Sequence, residues 1–213
     1  MNKGIFISFE GGEGAGKTTL ISKLAEVLRK SGREVLVTRE PGGTPLGDQI
    51  RDLLLHRDEN LRISDLSELL LFLSDRAQHI EETIRPALEA GQIVLCDRFS
   101  DSSIAYQGVA RGLGLEKVEQ LCDLVCDDTQ PKLSFYLDLD PREGFARKAI
   151  NGDKKDLLES EALAFHDQVR EGFLRLSQRH LERIVVIDAL QSPDAILQET
   201  CKTLEDRFGL CRT

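Results

Sequence analysis

The sequence predicts an α/β fold, a doubly wound five-stranded parallel sheet flanked by helices. Short apolar, β-rich runs recur along the chain, helical segments separate them, and a glycine-rich motif joins the first run to the first helical segment. Strands that alternate with helices favour a parallel sheet covered on both faces. The chain has 213 residues, of which 40% are hydrophobic, so it can bury a core of this size.

Each strand is predicted where a short apolar run lies between polar or turn-forming residues. The strands are expected at Ile5–Glu10, Glu34–Thr38, Ile93–Asp97, Leu133–Asp138 and Ile184–Asp188.

Helices are predicted in the intervals between these strands. Gly32 and Gly91 are expected to end helices, and Ser192 followed by Pro193 to begin one. No repeat, low-complexity tract or linker divides the chain, so one domain over residues 1–213 is expected. The clearest helical segments are Thr18–Lys30, Asp65–Ile84, Glu116–Cys126, Glu161–Glu182 and Pro193–Phe208.

Composition argues against several classes of protein. No apolar run reaches membrane-spanning length and no signal peptide precedes the first strand, so a cytoplasmic protein that does not bind membranes is expected. The net charge of −9 argues against a general nucleic-acid binder. The five cysteines lack zinc-ligand or CxxC spacing, which favours reduced structural thiols over a metal or redox site.

The strongest motif is GxxxxGKT, from Gly11 to Thr18, between a predicted strand and a predicted helix. Its glycines let backbone N–H groups converge on phosphate, while Lys17 adds charge and the Thr18 hydroxyl can bind magnesium. A phosphate-binding loop (P-loop) for a nucleoside triphosphate is predicted. Its expected nucleotide-binding residues are Gly11, Gly12, Glu13, Gly14, Ala15, Gly16, Lys17, Thr18 and Thr19.

Charged residues at the predicted strand ends form a second candidate group. Arg39 follows the second strand, and Asp97 and Arg98 end the third. Ligands of open parallel sheets bind beyond the carboxyl ends of the strands. Arginines at these positions can bind a phosphate group while it is transferred. Asp97 resembles a Walker-B acid that holds magnesium directly or through water. A buried structural Asp97–Arg98 pair is the alternative.

Two further segments can contact a planar base. Phe72 and Arg76 are four residues apart on a predicted helix, so they share a face; a simple core stripe is the alternative. Between Ser102 and Gly108, hydroxyl, phenol and amide groups cluster, and Gln107 can both donate and accept, as pyrimidine recognition needs. A polar turn is the plainer interpretation.

The polar segment 148–159 is either a surface loop or a lid over the nucleotide.

The chain resembles the thymidylate kinase family, specifically its bacterial form. The matching segments occur in order over nearly the whole chain: FEGGEGAGKTT, TREPGGT, LLFLSDRAQHIEETIRPAL, DRFSDSSIAYQG, FYLDLDP, FHDQVREGF and VIDALQSP. The resemblance implies a P-loop kinase fold with a short lid, transfer of the γ-phosphoryl group from ATP to dTMP with Mg²⁺ as cofactor, and commonly a homodimer.

The resemblance also implies individual roles. Lys17 holds ATP phosphates, Thr18 and Asp97 lie at the metal, and Arg39 and Arg98 hold the dTMP phosphate. The remaining family positions are Glu13 at the sugar 3′-hydroxyl, Phe72 stacked on thymine, Arg76, Ser103 and Gln107 at the edge of the base, Tyr106 against a ribose 2′-hydroxyl, Asp188–Gln191 at adenine, and Pro41 after an often cis bond.

The lid departs from the family pattern. Bacterial members have Gly in the P-loop, here Gly14, and supply a catalytic arginine from the lid, but Leu157 occupies that position. We expect Arg147, together with Lys154 or Lys155, to supply the missing charge.

The alternatives to this enzyme are another small-molecule kinase, such as an adenylate or cytidylate kinase, and a nucleotide-controlled switch or binding protein. Asn60 and Asn151 lack the NKxD context of a switch.

Overall fold

A five-stranded parallel sheet forms the centre of the protein. The computed structural model describes residues 4–58, 60–151 and 156–211. The strand order is β2-β3-β1-β4-β5, and every described pairing is parallel. The strands are β1 (Ile5–Glu10), β2 (Val35–Arg39), β3 (Ile93–Asp97), β4 (Leu133–Asp138) and β5 (Ile184–Asp188).

Four of the five strand predictions are confirmed residue by residue, and the second is displaced by one residue. β2 ends at Arg39 rather than Thr38 because Arg39 pairs in register with Asp97, the last residue of β3. The two candidate residues therefore lie side by side at the same edge of the sheet.

Helices cover both faces of the sheet, as predicted. Ile7 and Phe9 of β1 pack against Leu24 of α1, while Phe6 of the same strand packs with Ile80 and Ile84 on the opposite side. The helices are α1 (Lys17–Lys30), α2 (Pro45–Leu55), α3 (Asp65–His79), α4 (Arg85–Glu89), α5 (Ser100–Ser103), α6 (Leu115–Cys126), α7 (Pro141–Asn151), α8 (Leu163–Arg179) and α9 (Pro193–Phe208).

The long predicted helix over residues 65–84 changes its winding near its end. α3 stops at His79, a π-helical segment spans Ile80–Ile84, and α4 follows directly. Pro86 explains the change, because proline has no N–H to donate and its ring clashes with the carbonyl four residues earlier. The wider π turn accommodates the proline without ending the helix.

Two regions are more helical than expected. The interpretation of Ser102–Gly108 as a polar turn is wrong, because α5 continues into a π-helical segment over Ile104–Ala110. The interpretation of 148–159 as a loop is wrong at its start, since α7 extends through Asn151. The last predicted helix before β5 is shorter at both ends, running from Leu163 to Arg179 rather than Glu161 to Glu182.

The cysteines are unpaired, as predicted. Cys96, Cys122 and Cys126 are buried, and Cys201 and Cys211 are partly buried. Among the helices in the described part of the chain, none is both long enough and apolar enough to cross a bilayer.

Candidate active site

A cavity of about 780 Å³ opens at the carboxyl ends of the strands. It brings together nearly all the candidates, although the P-loop residues Gly11 and Gly12 do not line it. The predicted residues in its wall are Glu13, Gly14, Ala15, Gly16, Lys17, Thr18, Thr19, Arg39, Phe72, Arg76, Asp97, Arg98, Ser103, Tyr106, Gln107 and Arg147.

The P-loop is shaped to receive an anion. Gly14 and Gly16 have φ angles of 68° and 91°, in the left-handed region that favours glycine. Helix α1 begins at Lys17 without a side-chain cap, so its first N–H groups can bind phosphate. Nζ of Lys17 donates to the carbonyls of Gly11 and Gly12 at 3.0 and 2.9 Å. Burial, and next the charge of Arg98, lower the pKa of Lys17.

Gly144 of α7 supports the P-loop from behind. A Cβ at Gly144 would lie 2.1 Å from the carbonyl oxygen of Glu13, and a Cβ at Gly14 would lie 2.2 Å from that of Gly144. Two backbones therefore approach each other at a distance that only glycine allows. Sequence reasoning missed this residue, because a single glycine in a helical pattern has no distinctive spacing.

We expect Gly144→Ala to displace the P-loop. A displacement of about an ångström in such a loop costs roughly a hundredfold in rate, so kcat/KM for ATP should fall by roughly ten- to a hundredfold. Steady-state kinetics with varied ATP measures the effect. Glu143→Ala, at the exposed neighbouring position of α7, is the control; equal kinetics for the two variants would contradict this packing role.

The Thr18 hydroxyl, at the end of the P-loop, and the Asp97 carboxylate lie side by side. The Thr18 hydroxyl donates to Oδ2 of Asp97 at 3.0 Å. The described residues hold no cluster of three His, Cys, Asp or Glu side chains that could bind a metal by themselves. A hydroxyl and one carboxylate fit Mg²⁺, which usually takes one or two protein ligands and completes its shell with water and substrate phosphates.

Arg98 contacts both the P-loop and Tyr106 on the cavity wall. Its φ angle of 69° is left-handed, and its Nη1 donates to the Gly11 carbonyl at 2.8 Å. It also forms an ion pair with Glu13 and lies over the Tyr106 ring, 5.3 Å from the centroid. The alternative of an Asp97–Arg98 pair is therefore wrong, because Arg98 pairs with Glu13 and Asp97 accepts from Thr18.

Glu13 is held as a carboxylate by these charges. Burial raises the pKa of Glu13, but Arg98 and then Lys17 outweigh it and lower the pKa to about 2. A carboxylate can only accept hydrogen bonds, so Glu13 offers the cavity an acceptor at neutral pH.

A third arginine joins Arg39 and Arg98, and sequence reasoning missed it. Arg51 of α2 lines the cavity and donates to the Pro41 carbonyl at 2.9 Å. Burial, followed by the charges of Arg39 and Arg98, lowers the pKa of Arg51. The bond between Glu40 and Pro41 is cis. A sequence signal did exist, since Thr44 before Pro45 is typical of a helix start, and Arg51 follows on that helix.

Several partners hold the Arg76 guanidinium where it lines the cavity. Its Nε donates to Glu40 at 2.9 Å and its Nη2 to the Ser103 hydroxyl at 3.0 Å. Its guanidinium also lies over the Phe99 ring, 4.9 Å from the centroid. Burial opposes its charge, but Glu40 outweighs burial and raises the pKa of Arg76. Arg76 thus presents a cation in a fixed orientation to the cavity.

Phe72 lies one helical turn before Arg76 and lines the same cavity, which confirms their shared face. It is partly buried and packs against Leu54 and Leu55 of α2, together with Leu158. Gln107 lies on the π-helical segment, and its Nε2 donates to Glu68 at 2.9 Å.

Arg147 lines another part of the cavity together with Asp156, Leu158 and Glu159. Nη1 of Arg147 donates to the Gly14 carbonyl at 3.3 Å, and Nη2 donates to that of Ala189 at 3.0 Å. The Leu157 N–H donates to the Leu55 carbonyl at 3.2 Å, so Leu157 lies against the end of α2. Lys154 and Lys155, expected to add charge, lie outside the described residues.

The chain runs from β1 through the P-loop into α1, and the cavity at the P-loop is also lined by Arg39, Arg51 and Arg98. These features define the class of P-loop phosphotransferases. The family model described as thymidylate kinase matches residues 9–200. A thymidylate kinase of Protochlamydia amoebophila is 49% identical over 213 residues, covering 97% of this chain and 95% of the relative. That of Geobacillus thermodenitrificans is 50% identical over 206 residues, covering 96% and 91%.

A solved structure agrees with these relatives. The thymidylate kinase of Ehrlichia chaffeensis superposes with a TM-score of 0.76 at 36% identity, covering 95% of this chain and 99% of its own. The chain belongs to the thymidylate kinase family. It transfers a phosphoryl group from ATP to dTMP, giving dTDP and ADP, in nucleotide biosynthesis. Family membership therefore decides against the adenylate kinase, cytidylate kinase and switch alternatives.

Proposed function

We propose that ATP and dTMP meet end to end in the cavity at the strand ends, each held by a different set of residues. The main support is that one cavity is lined both by the P-loop and by the guanidiniums of Arg39, Arg51 and Arg98. The P-loop amides and Lys17 hold the ATP phosphates. Arg39, Arg51 and Arg98 hold the dTMP phosphate, for which planar guanidiniums are well suited.

The nucleoside of dTMP lies toward α3 and the π-helical segment. Phe72 stacks on the thymine, while Arg76, Ser103 and Gln107 contact the edge of the base. Glu13 accepts from the sugar 3′-hydroxyl, which its depressed pKa permits. Tyr106, buried against Phe165 and Phe173, fills the space that a 2′-hydroxyl would need.

Mg²⁺ is the proposed cofactor, held by Thr18 and Asp97 with oxygens of the nucleotide. When bound, it offsets negative charge on the ATP phosphates. Arg98 lies between the P-loop and Glu13, so it can stabilise the charge that spreads over the transferring phosphoryl group. Asp97 accepts from the Thr18 hydroxyl and is the register neighbour of Arg39, which binds the phosphate of the acceptor dTMP.

The segment 148–159 serves as a lid, and Arg147 at its start supplies charge near adenine and phosphate. Its described part supports this role, because Asp156, Leu158 and Glu159 line the cavity and Lys148 pairs with Glu159. Lys154 or Lys155 adds the charge that Leu157 cannot.

We expect Arg147→Ala to reduce kcat by roughly ten- to a hundredfold, because it removes one cation from the nucleotide site. Single-turnover kinetics with saturating ATP measures the chemical step. Arg142→Ala, an exposed arginine on the same helix, should leave the rate unchanged. If Arg147→Ala, Lys154→Ala and Lys155→Ala all turned over normally, the compensation for Leu157 would be refuted.

The base site is tested with Arg76→Ala. Loss of the buried guanidinium should raise KM for dTMP by at least roughly tenfold while leaving the Kd for ATP nearly unchanged. Glu40 then lacks its partner, so thermal melting is recorded in parallel to detect loss of stability. Equal losses for both substrates would refute the assignment of Arg76 to the base.

We further propose one kinase domain over residues 1–213, a homodimer and a cytoplasmic location, with no membrane or nucleic-acid partner. Leu66 and Leu70 support dimer formation, because they lie four residues apart on one face of α3 and are 45% and 49% exposed. Sedimentation would show a monomer if this face were simply solvated.

A further inference from the structure

Glu68 of α3 is a buried acid that does not line the cavity but contacts a residue that does. It is 4% exposed, and its Oε1 accepts from Nε2 of Gln107 at 2.9 Å. A carboxylate only accepts, whereas an amide has one donating and one accepting end. Gln107 must therefore turn its NH₂ group toward Glu68. Its carbonyl oxygen is the end that remains for the cavity.

Arg111 holds Glu68 in place. Nε and Nη2 of Arg111 donate to the two Glu68 oxygens, each at 3.2 Å. Arg111 is itself held by Glu161, whose Oε1 lies 2.7 Å from its Nη1, and by the Phe165 ring, with 4.7 Å from Cζ to the centroid. Paired donation of this kind fixes the plane of the carboxylate and compensates its charge.

We propose that Glu68, held by Arg111, is a positioning residue that makes the site specific for 4-oxo pyrimidines. This rests on the proposed base site. A thymine or uracil ring has an N3–H donor for the Gln107 carbonyl and an O4 acceptor for the Arg76 guanidinium. Cytosine has the reverse pattern, with an N3 acceptor and a 4-amino donor, and would leave buried groups of Gln107 and Arg76 unpaired.

Glu68→Gln tests the proposal. Glutamine has nearly the same shape but can offer either amide end to Gln107, so the Gln107 amide is free to turn over. We expect the ratio of kcat/KM for dTMP to that for dCMP to fall by at least roughly tenfold, mainly through KM. Glu119→Gln is the matched control, because Glu119 is a partly buried acid that pairs with Arg179 and His180 and does not line the cavity; its ratio should match the wild type.

Two more variants separate the possible failures. Gln107→Ala should also lower the ratio; an unchanged ratio there would refute the proposed base site itself. A reduced ratio in Gln107→Ala with a wild-type ratio in Glu68→Gln would overturn the positioning role of Glu68 alone. If Glu68→Gln does not fold, Arg111→Lys carries the test, since lysine keeps the charge but loses the paired donation. A wild-type ratio in Arg111→Lys would then overturn the proposal.

Discussion

Lys17→Met is expected to lower kcat by about 10²–10³-fold, because it removes a point charge from phosphates that gain charge in the transition state. Methionine keeps most of the aliphatic stem and favours helices, so the start of α1 should persist. Burial and the nearby Arg98 charge already lower the pKa of Lys17 in the absence of nucleotide. Glu13 and Asp97 oppose this shift, and bound ATP phosphates would further favour the charged form of Lys17.

Steady-state kinetics with dTMP and ATP, together with equilibrium binding of each nucleotide, measure this effect. Lys23→Met is the control on the same helix, since the Lys23 side chain is half-buried and pairs only with Asp194 among the described residues. We expect its kinetics to match the wild type. Binding of dTMP should also be nearly unchanged in Lys17→Met. A variant with normal kcat would contradict the placement of the ATP phosphates at the P-loop.

The strands were the most predictable part of the fold. IFISFE and IVLCD are apolar over almost their full length, which is typical of strands buried on both faces of a parallel sheet. Residues that interrupt this pattern, such as Gly11 after β1, mark the strand ends clearly. The sequence predicts Arg39 just after its strand, because a charged residue normally ends an apolar run. Pairing with β3 instead extends the strand to include Arg39.

The cavity was predictable where a motif or a strand end indicated it. Lys17, Thr18, Asp97 and Arg98 belong to this group, because a parallel sheet gathers its carboxyl ends at one edge. The shared face of Phe72 and Arg76 was predictable from the helical period alone. Their packing partners were not predictable, since Glu40 and Ser103 reach Arg76 from distant parts of the chain.

Contacts between distant segments account for what sequence reasoning missed. Arg51 reaches the cavity only because α2 folds back across the carbonyl of Pro41. Gly144 matters only because α7 packs directly on the P-loop. Glu68 contacts Gln107, which lies 39 positions later in the sequence. In the sequence, Glu68 resembles any acidic residue in the first turn of a helix. The start of α2 is visible in the sequence at Thr44 and Pro45. The contacts that bring Arg51, Gly144 and Glu68 to the site leave no local pattern.

Arg98→Ala is expected to have the largest effect of all, a loss of at least about 10³-fold in kcat/KM for dTMP. In our proposal Arg98 holds the acceptor phosphate and also faces the transferring group, so its removal weakens binding and chemistry together. Arg98→Lys restores the charge at the same left-handed backbone position but not the planar fork, and should recover only part of the rate.

A purely structural role for Arg98 would give a different result. The ion pair with Arg98 helps to lower the pKa of Glu13 from its ordinary 4.5 to about 2. A depressed carboxylate pKa contributes stability above pH 4.5, and that stability is lost as the pH falls toward 2. Thermal melts should therefore show Arg98→Ala most destabilised, relative to wild type, near neutral pH. If this loss of stability appeared while kcat/KM for dTMP stayed normal, Arg98 would support the P-loop without binding the acceptor phosphate.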